Sequence, residues 1–249
     1  MILNIEKINA KFERLAHHIL KLRWLYLSLF VATIIACMYG STLIKIDTSN
    51  ENSFLEGDSI KIQTDHFEEI FGNDLYAVVL LENKDLFSYE SLKLLRELHQ
   101  ELSDSVVFVE RITSINDLEF TIGDEYGMNI EQIIPNVIPT NPNELRKIKE
   151  KAFSKESLRK RLISADGTQT LLSIKFSPFP ENWQEDYETS PDELAGESVL
   201  NVINQDKYEA LNPKATGMPV INHEKREYFA VESSRVMGMA IVLAIIILI

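Results

Sequence analysis

The run Trp24–Ile44 constrains this chain more than any other feature: 21 consecutive residues carry no charge, and Arg23 and Lys45 close the run at its two ends. A helix rises 1.5 Å per residue, so ~20 such residues match the ~30 Å hydrocarbon core of a bilayer. Trp24, Tyr26 and Tyr39 lie toward the ends of the run, where aromatic rings favour the membrane interface. A core helix of a soluble domain is normally shorter and keeps a polar stripe, and this run has none. The sequence therefore predicts a first transmembrane helix over 24–45.

The flanks orient it. Residues 1–23 carry Lys7, Lys11, Arg14, Lys21 and Arg23 against Glu6 and Glu13, whereas Asp47, Glu51, Glu56 and Asp58 follow the run. The positive-inside rule places the N-terminus in the cytoplasm and the following domain outside. Charge divides the same way. Residues 1–45 hold six Lys/Arg and two Asp/Glu, a net of +4, and the rest holds 19 against 36, a net of −17. So acidic a surface repels nucleic acid and anionic headgroups, and no nucleic-acid partner is expected. The single cysteine, Cys37, lies inside the apolar run, so no intrachain disulfide supports the outer domain.

Two features of the N-terminal segment admit other readings. Ile34-Ile35-Ala36-Cys37 has the character of a lipoprotein cleavage site, with Cys37 as the lipidated residue. Against processing, the apolar run continues past Cys37 through Leu43 and Ile44, and the segment before it is long. Residues 1–23 form an amphipathic pattern in which Ile5, Ile8, Phe12, Leu15 and Ile19 recur at three- and four-residue steps. Such a helix either lies on the cytoplasmic headgroup surface or packs on other cytoplasmic parts of the protein.

Residues 46–235 read as an extracytoplasmic domain. Asp47–Ile60 is polar and reads as a loop. A short helix, Ile60–Phe71, is capped by Asp58 or Ser59 and stopped by Gly72. Leu75–Leu81 is a buried strand, Tyr89–Leu102 a helix opened by Ser88, and Val106–Ile112 a second strand, giving a βαβ unit. In that helix Leu92, Leu95, Leu98 and Leu102 share one face. A second unit comprises the strand Thr170–Phe176, a helix from Pro191 to about Gln205, and a closing strand Lys214–Thr216. Between the units, about 113–166 forms an insertion with short helices at Asn143–Phe153 and Lys155–Leu162. The expected class is α+β: a ferredoxin-like βαβ–insertion–βαβ domain, with helices on one face of a mixed sheet.

A long helix is expected over Ile221–Ile249. Its first half carries Glu224, Lys225, Arg226, Glu232 and Arg235, and from Val236 it is wholly apolar. That apolar part, 236–249, reads as the beginning of a second transmembrane helix. A carboxylate at Ile249 within the membrane is costly, so further spans are expected in the parent protein.

The layout resembles the resistance-nodulation-division superfamily of exporters, in particular its MMPL-like, lipid-associated branch. A first span leads at once into a large outer domain. Phe67-Glu68-Glu69-Ile70-Phe71-Gly72-Asn73-Asp74 leads into a strand, Asp85-Leu86-Phe87 precedes a helix, and Val107–Ser114 follows it. Pro139-Thr140-Asn141-Pro142-Asn143-Glu144-Leu145 is followed by Leu162–Thr168, and Thr216-Gly217-Met218-Pro219-Val220 stands just before the second apolar stretch. The order and spacing of these segments, from about residue 20 onward, carry the resemblance more than any one of them. It implies a proton-driven exporter of lipids or other hydrophobic molecules in a bacterial cytoplasmic membrane, with twelve spans and two outer domains. Its partners are then membrane lipid, a hydrophobic or amphipathic substrate, the remaining spans and, as one option, further copies of itself. The family's proton-relay acids lie on later helices than those in these residues. A membrane-anchored ligand sensor and a lipoprotein scaffold are the alternatives.

Candidate chemistry is sparse, and neither an enzyme nor a cofactor is expected. There is no GxxxxGK[ST] phosphate loop. The five histidines form no HExxH or Cys/His spacing, and His66 beside Glu68 and Glu69 reads as a solvated face rather than a metal site. No Ser/His/Asp constellation can be argued from spacing. Phe176, Phe179, Trp183 and Tyr187, gathered around Pro178 and Pro180, are candidates for lipid contact, with ordinary core packing as the alternative.

Overall fold

The computed structural model describes residues 5–42, 57–73, 75–124, 127–154, 156, 161–180 and 183–248. The chain divides into two compact units, Met1–Ile46 and Asp47–Ile249.

The first unit holds two helices, α1 (Ile5–Lys21) and α2 (Arg23–Thr42). The parts Phe12–Lys21 and Arg23–Cys37 meet at 79°. Residues Trp24–Cys37 of α2 are exposed, and Ser28 and Thr33 donate their hydroxyls to the carbonyls of Leu25 and Leu29, each at 2.9 Å. Such back-bonding satisfies a hydroxyl without water. Among the described residues no single helix is long and apolar enough to cross a membrane, whereas the bent pair together passes on length and composition.

The second unit is mixed α+β. It opens with α3 (Ser59–Phe71), where Asp58 accepts the Ile60 N–H at 2.9 Å and Gly72, at φ +80°, ends the helix. Most of the loop expected at Asp47–Ile60 lies outside the described residues. Strand β1 (Tyr76–Glu82) follows, then α4 (Tyr89–Ser105) and β2 (Val109–Thr113). Ser88 caps α4 by accepting the Ser91 N–H at 3.2 Å, and Glu90 complements the positive end of the helix dipole. The insertion contains a hairpin, β3 (Glu119–Asp124) with β4 (Gly127–Gln132), and α5 (Pro142–Ser154). Its expected second helix, Lys155–Leu162, falls mostly outside the described residues. Strand β5 (Gln169–Phe176), α6 (Pro191–Ile203), a 3-10 turn (Asp206–Leu211), β6 (Lys214–Gly217) and α7 (Met218–Leu248) complete the chain.

The main sheet has strand order β2-β5-β1-β6, and every neighbouring pair is antiparallel. This corrects the expectation of a mixed sheet. Within each βαβ unit the two strands do run parallel, but a strand of the other unit lies between them. Interleaving the units removes every parallel contact.

One face of the sheet makes the core. Ala77, Val79 and Leu81 on β1 and Leu172, Ile174 and Phe176 on β5 are fully buried, alternating with half-buried neighbours. The four α4 leucines, with Ala195, Val199, Val202 and Ile203 of α6, cover that face. A period of two on the strands thus meets a period of 3.6 on the helices.

Two boundaries and one added element stand out against expectation. Val106 ends α4 instead of opening β2, because Phe108 takes φ +60° and turns the chain before the strand starts. The insertion holds a β-hairpin that the sequence reading did not expect. The last helix begins at Met218, three residues before Ile221, since Pro219 fits a first helical turn that needs no N–H donor.

Candidate functional site

The most built polar site joins α6 to the base of α7. Ser190 precedes α6 and does not cap it. Its hydroxyl donates instead to Asp192 Oδ1 at 2.6 Å, while Asn222 Nδ2 of α7 donates to Asp192 Oδ2 at 2.7 Å. Ser190, Asp192 and Asn222 are all buried. One turn further along α7, Arg226 pairs with Glu193, whose side chain is 1% exposed. Buried polar groups are costly unless satisfied, so these bonds fix one register of α7 against α6.

Two glycines permit this seam. A Cβ on Gly196 would stand 2.2 Å from the Pro219 carbonyl oxygen, so α6 and α7 touch backbone to backbone there. Gly217, at φ +128°, closes β6 against β1, where a Cβ would meet the Tyr76 oxygen at 2.3 Å. The segment Thr216-Gly217-Met218-Pro219-Val220 is therefore the tightly packed junction at which the last strand becomes the long helix. Beyond the seam, α7 exposes Tyr228, Phe229, Val236, Met237, Met239 and Leu243.

No protein-family model matches this chain, and no curated protein matches it in sequence. Its functional reading rests on its own residues.

A second tie joins α4 to the 3-10 turn. Glu101 accepts from Tyr208 Oη at 2.5 Å and Gln205 Nε2 at 2.8 Å, and pairs with Lys207 Nζ at 2.5 Å. The Lys207 bond, followed by that of Tyr208, pulls the Glu101 carboxyl down to about 2 from 4.5. Burial and the Glu101 carboxylate push the Tyr208 hydroxyl upward. A depressed carboxyl stabilises the fold fully above its unfolded value near 4.5, and that stability is lost as pH falls toward about 2. Lys207 is half exposed, so screening reduces the effect to roughly 1–2 kcal/mol. Urea unfolding at pH 7 and pH 3 measures it. The stability lost between the two should shrink by somewhat more than half of that amount in Glu101→Gln, the remainder being lost below pH 3; an unchanged loss contradicts the tie.

Ser114, His99 and Asp117, which spacing could not connect, do meet. His99 Nδ1 lies 3.0 Å from Ser114 Oγ and 3.4 Å from Asp117 Oδ2, and Ser114 Oγ donates to Asp117 at 3.3 Å. A hydrolytic triad uses the two ring nitrogens separately, one toward the serine and one toward the acid. Here one nitrogen faces both, and Ser114 is fully buried. Ser114 also accepts the Asn116 N–H at 3.1 Å, so the cluster braces the turn after β2.

The aromatic candidates gather around a residue that the sequence reading did not single out. Phe108 lies 5.5 Å from Phe179 and 5.8 Å from Tyr187, and Phe176 lies 6.1 Å from Phe179. Phe176 and Trp183 are buried, and Phe179 and Tyr187 are half-buried. Packing accounts for the first two, and any lipid contact would fall to Phe179 and Tyr187. The positive φ of Phe108, unusual for a bulky residue, is the structural sign of this cluster; no residue pattern announces it. Among the described residues no group of three or more His, Cys, Asp or Glu could hold a metal ion. An open groove of about 450 Å³ lies between α5 and the segment that leaves the end of β4, lined by Gln132, Pro135, Asn136, Lys147 and Lys151 among others.

Proposed function

We propose that this chain supplies the first span, the first outer domain and the start of the second span of a proton-driven exporter of the resistance-nodulation-division superfamily, MMPL-like branch. The exported molecules are lipids or other hydrophobic or amphipathic compounds. The protein sits in a bacterial cytoplasmic membrane, with its N-terminus inside and residues 46–235 outside. In this reading α2 is the first transmembrane helix and the apolar part of α7 begins the second.

The observation that carries the reading is the seam at Gly217. One continuous helix of 31 residues starts in the domain core, is fixed there by Asp192 and Glu193, and runs on into an exposed apolar stretch. A domain that moves cargo must pass force to the helices below it, and a rigid, buried polar joint is suited to that. The strand order β2-β5-β1-β6, built from two interleaved βαβ units, supports the ferredoxin-like assignment. The exposed apolar surface of α2 supports membrane insertion.

Two measurements test it. In a Cys37→Ser background, a membrane-impermeant maleimide should label Glu97→Cys on intact spheroplasts and Arg14→Cys only after permeabilisation; the reverse pattern overturns the orientation. The product of the intact gene, in proteoliposomes bearing a pH gradient, should move a fluorescent phospholipid analogue between leaflets, and a protonophore should abolish the movement. Movement indifferent to the protonophore overturns proton-driven export.

A further inference from the structure

We infer that α1 is an in-plane membrane helix: its apolar face sinks into the acyl–headgroup boundary and its basic edge holds anionic phospholipid. The inference rests on α2 being a span, and it adds a partner for the segment before it.

The geometry starts at Leu22. Backbone bonds from the Leu25 and Tyr26 N–H groups to the Leu22 carbonyl, at 2.9 and 3.0 Å, carry the chain through the corner, and the helices leave it at 79°. A helix set nearly perpendicular to a span lies nearly parallel to the membrane plane. Ring contacts brace the corner. His18 and Tyr26 meet edge to face at 6.3 Å between centroids, and the Arg23 guanidinium lies 5.9 Å over the Trp24 ring. Tyr and Trp at such a bend occupy the depth where membrane aromatics concentrate.

The described part of α1 is sharply two-sided. Phe12, Leu15 and Ile19 fall on one face at 100° per residue and are 65%, 52% and 43% exposed, with Leu20 at 66% on its flank. Arg14, His17 and Lys21 fall opposite together with the single acid Glu13, with His18 between the two faces, and these five line an open groove of about 380 Å³. Over residues 1–23 five basic side chains face two acidic ones. Water penalises this much exposed apolar surface, whereas the interface accepts the apolar face and the positive edge together. A neutral surface would satisfy only the first of these. The charge therefore selects an anionic one, at about 1 kcal/mol, or fivefold, per basic residue near it.

The test is site-directed spin labelling of the full chain in a Cys37→Ser background, in vesicles of phosphatidylethanolamine and phosphatidylglycerol. Nitroxides replace Phe12, Glu13, Leu15, His17, Ile19 and, as a reference on α2, Leu29. Labels at 12, 15 and 19 should report oxygen access at boundary depth, those at 13 and 17 should report aqueous access, and that at 29 should lie deep. Arg14→Gln should lower the ratio of immersed to aqueous label at 15 about fivefold, as should replacing the anionic lipid with phosphatidylcholine. Aqueous labels at 12, 15 and 19, or labels there shielded from both reagents by protein, overturn the inference while a deep label at 29 leaves the span intact. An aqueous label at 29 overturns the inference and the membrane reading together. Immersion that ignores both Arg14→Gln and lipid charge overturns the anionic partner.

Discussion

Gly217→Ala should cost about 4 kcal/mol of stability, much of what a domain of this kind has to lose. Two terms add. An L-residue at φ +128° sits where only glycine is comfortable, a strain of about 1–3 kcal/mol. The new Cβ then meets the Tyr76 carbonyl oxygen at 2.3 Å and Ala77 Cα at 2.8 Å. Both contacts are backbone, so no side chain can rotate away, and forced overpacking adds about 1–3 kcal/mol. The damage falls on the β1–β6 pairing, where Ala77 faces Gly217, and on the start of α7. Urea denaturation of the full chain in detergent, followed by the fluorescence of buried Trp183, measures the loss. Gly238→Ala is the control, because nothing lies within 4 Å of a Cβ there. Equal midpoints for the two variants would show that the close approach at Gly217 is absent.

How legible these features are in the sequence follows from how local their causes are. Helix starts are written in adjacent residues: Ser88 opens α4 and Asp58 opens α3 through bonds only two or three residues long. The four leucines of α4 and the alternation of β1 and β5 record burial directly, so helix and strand type and the core face can be read off. The hairpin β3–β4 escapes because Glu119–Gln132 is acidic and glycine-broken, with few β-branched residues to mark strands. The Asp192–Asn222 bond spans 30 residues and the Gln205–Glu101 bond spans 104. At the start of α6, Pro191-Asp192-Glu193 reads as acids answering a helix dipole, and that reading is complete without any partner on another helix. Only the fold supplies Asn222 and Arg226. The same holds for His99, Ser114 and Asp117: their types invite a catalytic reading, and only the shared nitrogen and the burial of Ser114 turn it into a brace.

Gly196→Ala should separate α6 from α7, at a cost of about 3 kcal/mol. In an isolated helix the change would gain about 1 kcal/mol from propensity. Here the added methyl meets the Pro219 oxygen at 2.2 Å and the Val220 nitrogen at 2.9 Å, both on the facing backbone. Relief requires the helices to move apart, and that lengthens the Asn222–Asp192 bond and weakens the pairing of Arg226 with the buried Glu193. A double-mutant cycle with Arg226→Gln separates this mechanism from simple crowding. If Gly196→Ala acts by opening the seam, Arg226 is already partly disengaged in that variant, and adding Arg226→Gln costs at least 1 kcal/mol less than it does alone, roughly the coupling of residues in one network. Additive costs, measured by urea denaturation of the four proteins, would mean that the helices stay in register and that the strain is absorbed elsewhere. Sub-additivity would instead make Gly196 the residue that lets α6 hold the long helix in register, as the proposed transfer of force through the seam requires.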